Sequence, residues 1–327
     1  DVLWWDTPYG MNKARAEKLV PLLRLQPGII HNNRLGGGYK GDTETPEQHI
    51  PATGFDDRDW EVCMTMNDTW GYKSYDHNWK STEALVQKLC DIVSKGGNFL
   101  LNVGPTKEGR IPQPSIDRLK EVGAWMDVNG EAIYGTSANP FAKLLWGRCT
   151  KKIRPDGATL YFHVFDWPAD GILTINGLKS KPSSARLLAD GENLRFSTFA
   201  TDAGPGITLQ VPKNAPADLV PVIQVEIPGA LEVVKVLPKQ DSTGAVTLPA
   251  SLADLHSRSY DANNQLKLET HQGLKNIGNW QRHQDWIAWQ FEVTRPGSFR
   301  VETDLAAPAD TALTINLKGK ANLPAPV

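Results

Sequence analysis

The feature that most constrains this chain is a change of hydrophobic rhythm near Ala138. Before it, short apolar runs alternate with stretches of helical spacing, the pattern of an α/β layer architecture. After it come short alternating runs separated by Gly, Pro, Asn and Asp, the pattern of antiparallel β structure. A chain of 327 residues holds two or three domains at ordinary domain sizes. Three are expected here: residues 1–137, 138–229 and 230–327.

In the first segment, Val2-Leu3-Trp4-Trp5-Asp6 reads as a buried strand that stops on a carboxylate. Parallel barrels place their chemistry at such strand ends. Ala16, Leu19, Val20 and Leu23 follow at helical spacing, with Pro21 expected to kink or end the helix. Ile29-Ile30, Trp60 to Met66 and Asn98 to Val103 read as further strands, the last a buried one. A long Gly- and Pro-rich excursion separates the first two, from Gly36 to about Asp59, and loops of that length are usually functional. Ser81 is a candidate cap for a helix with Leu85, Leu89, Ile92 and Val93 on one face, ended by Gly96-Gly97. A last helix carries Ile116, Leu119, Val122 and Met126 and stops at Asn129-Gly130. Four strands and three helices make about half of a (β/α)8-like barrel. A missing N-terminal barrel segment or a companion chain is expected to complete it.

Beyond Ala138, Thr159 to Val164, Gly171 to Ile175 and Leu219 to Ile227 alternate as in an antiparallel β-sandwich, with a boundary at Pro228-Gly229. Residues 230–327 read as a second β module, jelly-roll-like and incomplete, with strands expected at Asp285 to Phe291 and Ser298 to Val301.

Composition removes several classes. A net charge of -2 without a basic stripe disfavours a nucleic-acid partner. No apolar run reaches the ~18 residues of a membrane span. Cys63, Cys90 and Cys149 form no C-x-x-C pair, which argues against structural zinc. No ligand cluster implies a metal or organic cofactor. Asn67-Asp68-Thr69 matches the glycosylation acceptor pattern, which is also common by chance.

Asp6 lies between Trp5 and the expected turn Thr7-Pro8-Tyr9-Gly10. A carboxylate at a strand terminus beside indole rings is placed to be a nucleophile towards a sugar held against those rings. The competing reading is an aspartate that opens a turn. Arg34 follows a strand and enters the glycine-rich loop. Its guanidinium can bond hydroxyls or hold a carboxylate ionised, or it is a surface arginine. Glu47 and Glu61 are the acids able to partner Asp6, since retaining glycoside hydrolysis needs two carboxyl groups about 5–5.5 Å apart; both also read as solvated or structural glutamates. Trp70 joins Trp4, Trp5 and Trp60 in an aromatic set that serves either a core or a sugar platform.

Several of these motifs, taken in order, resemble the α-L-fucosidases of glycoside hydrolase family 29. They are Val2-Leu3-Trp4-Trp5-Asp6, Asn33-Arg34, Gly41-Asp42 with Thr45-Pro46-Glu47-Gln48, Trp60-Glu61, Asp68-Thr69-Trp70-Gly71-Tyr72, the run from Gly96 to Thr106, and Asn129 to Tyr134. The resemblance covers about residues 1–137, and more loosely the sandwich to about residue 229. It implies a (β/α)8-like barrel that releases α-linked L-fucose with retention from a fucosylated oligosaccharide or glycoconjugate, in a secreted or periplasmic protein. Asp6 would match the nucleophile, Trp4 and Arg34 would line the fucose pocket, and Trp70 would pack against the sugar's apolar side. Glu47 would match the general acid/base, with Glu61 the competitor because that position varies among family members. Glu47 is preferred, since a proton shuttle must sit at the mouth and admit water, which suits a loop, whereas Glu61 begins a strand. A reading from another class is a non-catalytic carbohydrate-binding protein that uses the aromatic platform and the cluster of Trp280, Trp286 and Trp289.

Overall fold

The apolar runs of the first segment become parallel strands in chain order. The computed structural model describes residues 1–6, 8–201, 204–215, 219–257, 259, 262–306 and 314–318. In it β1 (Val2–Leu3) pairs with β2 (Ile30–His31), and β3 (Thr43–Glu44), β4 (Asp59–Thr65) and β5 (Asn98–Asn102) follow side by side, every pairing parallel. A parallel bridge from Asn32 to Thr43 joins β2 to β3. β3 lies within the stretch from Gly36 to about Asp59 that is expected to be a long loop. Thr7, in the turn expected after Asp6, lies outside the described residues.

Local chemistry sets the helices between the strands. Helix α1 (Lys13–Leu19) is capped by Asn12 and gives way to a 3-10 turn at Val20–Leu25, where Pro21 has no N–H to continue the α pattern. Helix α2 (Thr82–Ser94) starts on Ser81, whose hydroxyl accepts from Ala84 N, and α3 (Gln113–Asn129) stops where expected. Strand β4 shows why one face of this sheet is free for a site. Trp60, Val62 and Met64 pack with Ile92 of α2, so Glu61, Cys63 and Thr65 must point to the opposite face.

Two antiparallel sheets follow. One contains β6 (Gly147–Arg154), β7 (Gly157–Val164), β9 (Ser184–Leu187) and β12 (Val222–Pro228) in the order β6-β7-β12-β9. The other contains β8 (Ile172–Asn176), β10 (Arg195–Thr201) and β11 (Gly204–Gln210) in the order β10-β11-β8. Phe162, Leu160, Leu187 and Val225 of the first share a core with Leu173, Ile175, Ile207 and Leu209 of the second. The first sheet's other face meets α2 and α3 through Tyr161, Val222, Val86 and Trp125. Strand β7 is therefore buried along its whole length, and Trp125 anchors the junction by donating its indole N–H to Val220 O at 2.7 Å.

From Ala230 onward the described residues form two separate ladders rather than the jelly-roll-like module expected there. β13 (Asp254–His256) pairs with β16 (Trp286–Ala288), and β14 (Lys267–His271) pairs with β15 (Leu274–Gly278). Ser298 to Val301 is not a strand: it follows Pro296-Gly297, and Phe299 and Val301 are exposed without a neighbouring strand among the described residues. Two strands expected to be buried are not. Val2 is 64% and Leu100 43% exposed, because β1 and β5 each pair on one edge only among the described residues. Asn67 of the glycosylation pattern is itself buried and so not presented to solvent.

The fully buried His163 carries a pH signature. Thr150 donates its hydroxyl to Ala132 O at 2.6 Å, so at 3.1 Å from His163 Nε2 it must accept, and that nitrogen carries the proton. Nδ1 is buried without a partner among the described residues, and burial pushes the imidazole pKa down to about 3. Below about pH 6.5 the unfolded chain binds a proton there that the native chain refuses. Stability should then fall with pH from 6.5 towards 3, by about 1.4 kcal/mol per unit from this group. Urea unfolding midpoints of the wild type and His163→Gln, compared at pH 7 and pH 5, should show the wild type losing more.

Candidate active site

The site is assembled on one arginine. Arg34 sits in a 3-10 turn (Asn33–Leu35) capped by Asn32, directly after β2. A guanidinium has five N–H bonds, and each has a partner here. Nε donates to Thr45 Oγ1 at 2.9 Å, and Nη2 donates to Thr45 O at 3.0 Å and to Cys63 Sγ at 3.3 Å. Nη1 donates to Asp6 Oδ1 at 3.2 Å and to Glu47 Oε2 at 2.6 Å. Two oxygens tied at those distances to one nitrogen lie within 5.8 Å of each other. Trp4 covers the guanidinium, with Arg34 Cζ 5.5 Å from its ring centre.

Backbone pairing carries both acids to this point. The buried Asn32 side chain accepts from Trp5 N at 3.0 Å and donates to Trp5 O at 3.0 Å, so it continues the β1–β2 pairing up to the residue before Asp6. Asp42 N donates to His31 O at 2.7 Å, and Gly41 takes φ +61° with its α-carbon against Asn32 O, where a Cβ would collide. Glu47 forms a parallel bridge with Cys63, and Gln48 anchors it by donating to Thr65 Oγ1 at 3.0 Å. The acids therefore follow the carboxyl ends of β1 and β3, with Arg34 after β2 between them.

Burial alone would lower the Arg34 pKa, but the hydrogen bond to Glu47 and the surrounding negative charge leave it raised. Burial pushes the Cys63 thiol up despite Arg34 beside it. Burial likewise raises Glu61, whose carboxylate has no hydrogen bond or ion pair among the described residues. Glu61 shares a face with Cys63 but lies two residues nearer the amino end of β4, about 7 Å along the strand.

The structure thus brings Asp6, Arg34, Glu47 and Trp4 together. Glu61 lies apart from them. Trp70, 39% exposed, sits on the loop after β4, and its carbonyl accepts from Asn102 Nδ2 at 2.8 Å; it is not among the hydrogen-bond or cation–π partners of Arg34. Sequence reasoning missed Thr45, Asn32, Asn33 and Cys63 as members of this cluster. Thr45 Oγ1 also donates to Asn33 Oδ1 at 2.6 Å, and its place two residues before a candidate acid was the available signal.

Two carboxylates that share one cation at parallel strand ends are an arrangement that glycosidic-bond chemistry can use. Residues 1–131 match the sequence model described as alpha-L-fucosidase, which supports assignment of this part of the chain to that family. It is 32% identical over 205 residues to the Alpha-L-fucosidase of Dictyostelium discoideum, covering 60% of this chain and 44% of that protein. Among solved structures it is similar to Alpha-L-fucosidase isoenzyme 1 from Paenibacillus thiaminolyticus, with TM-score 0.60, 35% identity and coverage of 70% of this chain and 58% of that one. It is also similar to a family 29 α-L-fucosidase from Bacteroides thetaiotaomicron, trapped as a covalent intermediate with 2-fluoro-fucosyl fluoride in a glutamate-to-glutamine mutant (TM-score 0.59, 26% identity, 69% and 56% coverage). The chain spans less than half the length of the Dictyostelium relative.

The arginine clamp can be read through the thiol beneath it. All three cysteines are free and buried, so a thiol reagent at pH 8 should label none in the native protein and three in denaturant. Arg34→Ala should uncover Cys63 and raise the native count to one, measured by absorbance of the released thiolate.

Proposed function

We propose that this chain belongs to a retaining exo-α-L-fucosidase. The observation that carries the reading is the tie of Asp6 and Glu47 to a single Arg34 nitrogen. Their bonded oxygens lie within 5.8 Å of each other, in keeping with the close pair of about 5–5.5 Å that retaining enzymes use. The alternative of a non-catalytic carbohydrate-binding protein has no use for such a pair. In the first step Asp6 attacks the anomeric carbon of fucose, and the bond to the leaving oxygen breaks as Glu47 gives that oxygen its proton. In the second step Glu47 takes a proton from water, the water oxygen bonds the anomeric carbon, and Asp6 is released. Arg34 orients the Asp6 carboxylate through its charge-assisted hydrogen bond. Trp4 and Trp70 supply the aromatic walls for the sugar's apolar side.

The parallel strands belong in this reading to a (β/α)8-like wall, with further strands covering Val2, Ile30 and Leu100, which are exposed. The two packed antiparallel sheets form the β-sandwich domain beside it, and residues 230–327 a separate module. The substrate is a fucosylated oligosaccharide or glycoconjugate outside the cytoplasm. Glu61 remains the second candidate acid on one observation: burial raises its pKa, as suits a group that must donate a proton.

In the intact protein, Asp6→Ala should lower kcat for an aryl α-L-fucoside by at least a thousandfold. Glu47→Ala should keep activity on aryl fucosides with good leaving groups, and azide should restore turnover with α-L-fucosyl azide as product. If Glu61→Ala shows that rescue and Glu47→Ala does not, the acid/base is Glu61. Binding of fucoside by the wild type without turnover would sink the enzyme reading.

A further inference from the structure

The backbone bends sharply at the residue after Glu47. Gln48 takes φ +59°, a left-handed conformation that residues other than glycine adopt at a cost and keep only where their surroundings over-determine it. Three of its polar groups are held from strand β4. Its N–H donates to Cys63 O at 2.9 Å, its Nε2 donates to Thr65 Oγ1 at 3.0 Å, and its Oε1 accepts from Thr65 N at 3.3 Å. The fourth, its carbonyl, has its partner in a distant part of the chain: it accepts from Gln265 Nε2 at 3.1 Å, across a sequence separation of 217 residues.

Gln265 is itself a fixed point. It follows the 3-10 turn Ala262–Asn264 and precedes the buried Leu266. Its Nε2 also donates to Ser259 O at 2.8 Å, so both N–H bonds of the amide are used. Both partners are carbonyl oxygens, which only accept, so the nitrogen of the amide and not its oxygen faces them. The main-chain carbonyl of Gln265 accepts from Asn279 Nδ2 at 2.9 Å, directly after β15. A second tie lies nearby in the chain, where Lys143 Nζ donates to Ala253 O at 2.6 Å, one residue before β13. The segment that carries Gln265 is therefore fastened to the body of the molecule at more than one place.

What this bond holds is the peptide next to a candidate acid. The Glu47 side chain leaves the backbone one residue before Gln48, and its carboxylate stands 2.6 Å from Arg34 Nη1. Glu47 O accepts from His49 Nδ1 at 2.9 Å, so the main chain is gripped at the carbonyls of both Glu47 and Gln48. A proton donor works only within about 2.6–3.2 Å of the atom it serves, and a misplacement of about 1 Å is costly. We propose that Gln265 is a positioning residue for Glu47: by holding the Gln48 carbonyl it fixes the left-handed bend and with it the point from which the acid reaches the leaving oxygen. The inference rests on the reading of Glu47 as the acid/base, and it gives the segment after Ala230 a part in the reaction.

The test separates proton delivery from folding by leaving-group chemistry. Phenyl α-L-fucoside needs a proton on its departing oxygen and 2,4-dinitrophenyl α-L-fucoside does not, so the ratio of their kcat/KM values reads the acid alone. In the intact protein, Gln265→Met, which keeps the length and loses the donors, and Gln265→Ala should each lower the ratio of phenyl to dinitrophenyl kcat/KM by about tenfold, the scale of one lost hydrogen bond. Loss of folded protein lowers both rates alike and leaves the ratio where it was. Glu47→Ala should lower the ratio further than either, and adding Gln265→Met to Glu47→Ala should not lower it again. An unchanged ratio in both Gln265 variants overturns the positioning role, and so does a further fall in the double variant. An unchanged ratio in Glu47→Ala removes the acid/base assignment itself, and the role of Gln265 with it.

Discussion

The saturated guanidinium of Arg34 is the interaction on which the rest of the site depends. An arginine this enclosed is tolerated because every N–H has a partner, two of them anionic. Neither carboxylate is placed by its own loop alone. Each is held by a shared cation that is fixed in turn by Thr45 and Cys63 from the two following strands. Removing Arg34 would leave Glu47 without its ionic partner in a partly buried place.

Behind it, packing supplies the rigidity that such a cluster needs. Strand β4 shows Cys63 to the arginine and Val62 and Met64 to α2. Helix α2 passes the constraint on, because its Val86 and Cys90 meet Tyr161 and Val222 of the antiparallel sheet. Asp91 adds a charged tie, pairing with Lys95 on its own helix and with Arg148 of β6. The antiparallel sheet thus lies two packing layers from the carboxylates and braces the strand that carries Cys63.

Much of this was legible in the sequence because it rests on local chemistry. Ser81, Pro21 and Asn129-Gly130 marked helix ends through capping and the missing proline N–H, and the apolar runs marked β4, β7 and β12. Asp6, Arg34 and Glu47 were readable as candidates from residue type and position. What stayed hidden was relational. Two-residue β3 has no periodicity to detect, and Thr45 has no signature apart from the arginine it holds. The exposure of Leu100 depends on which strands flank it, and the fate of Ser298 to Val301 on whether a partner strand is offered. Glu61 and Glu47 differ by depth along a strand, which residue identity does not encode.

The way the two acids are mounted has a consequence for how such a site can change over time. Asp6 is set by the β1–β2 register through Asn32, and Glu47 by its bridge to Cys63. Side chains alternate along a strand, so a shift by one residue turns an acid away from the site, and the next allowed position is about 7 Å further on. The spacing between the two acids can therefore take only a few discrete values. On such a frame the rim loops can vary while the distance between the two carboxylates stays locked to strand register.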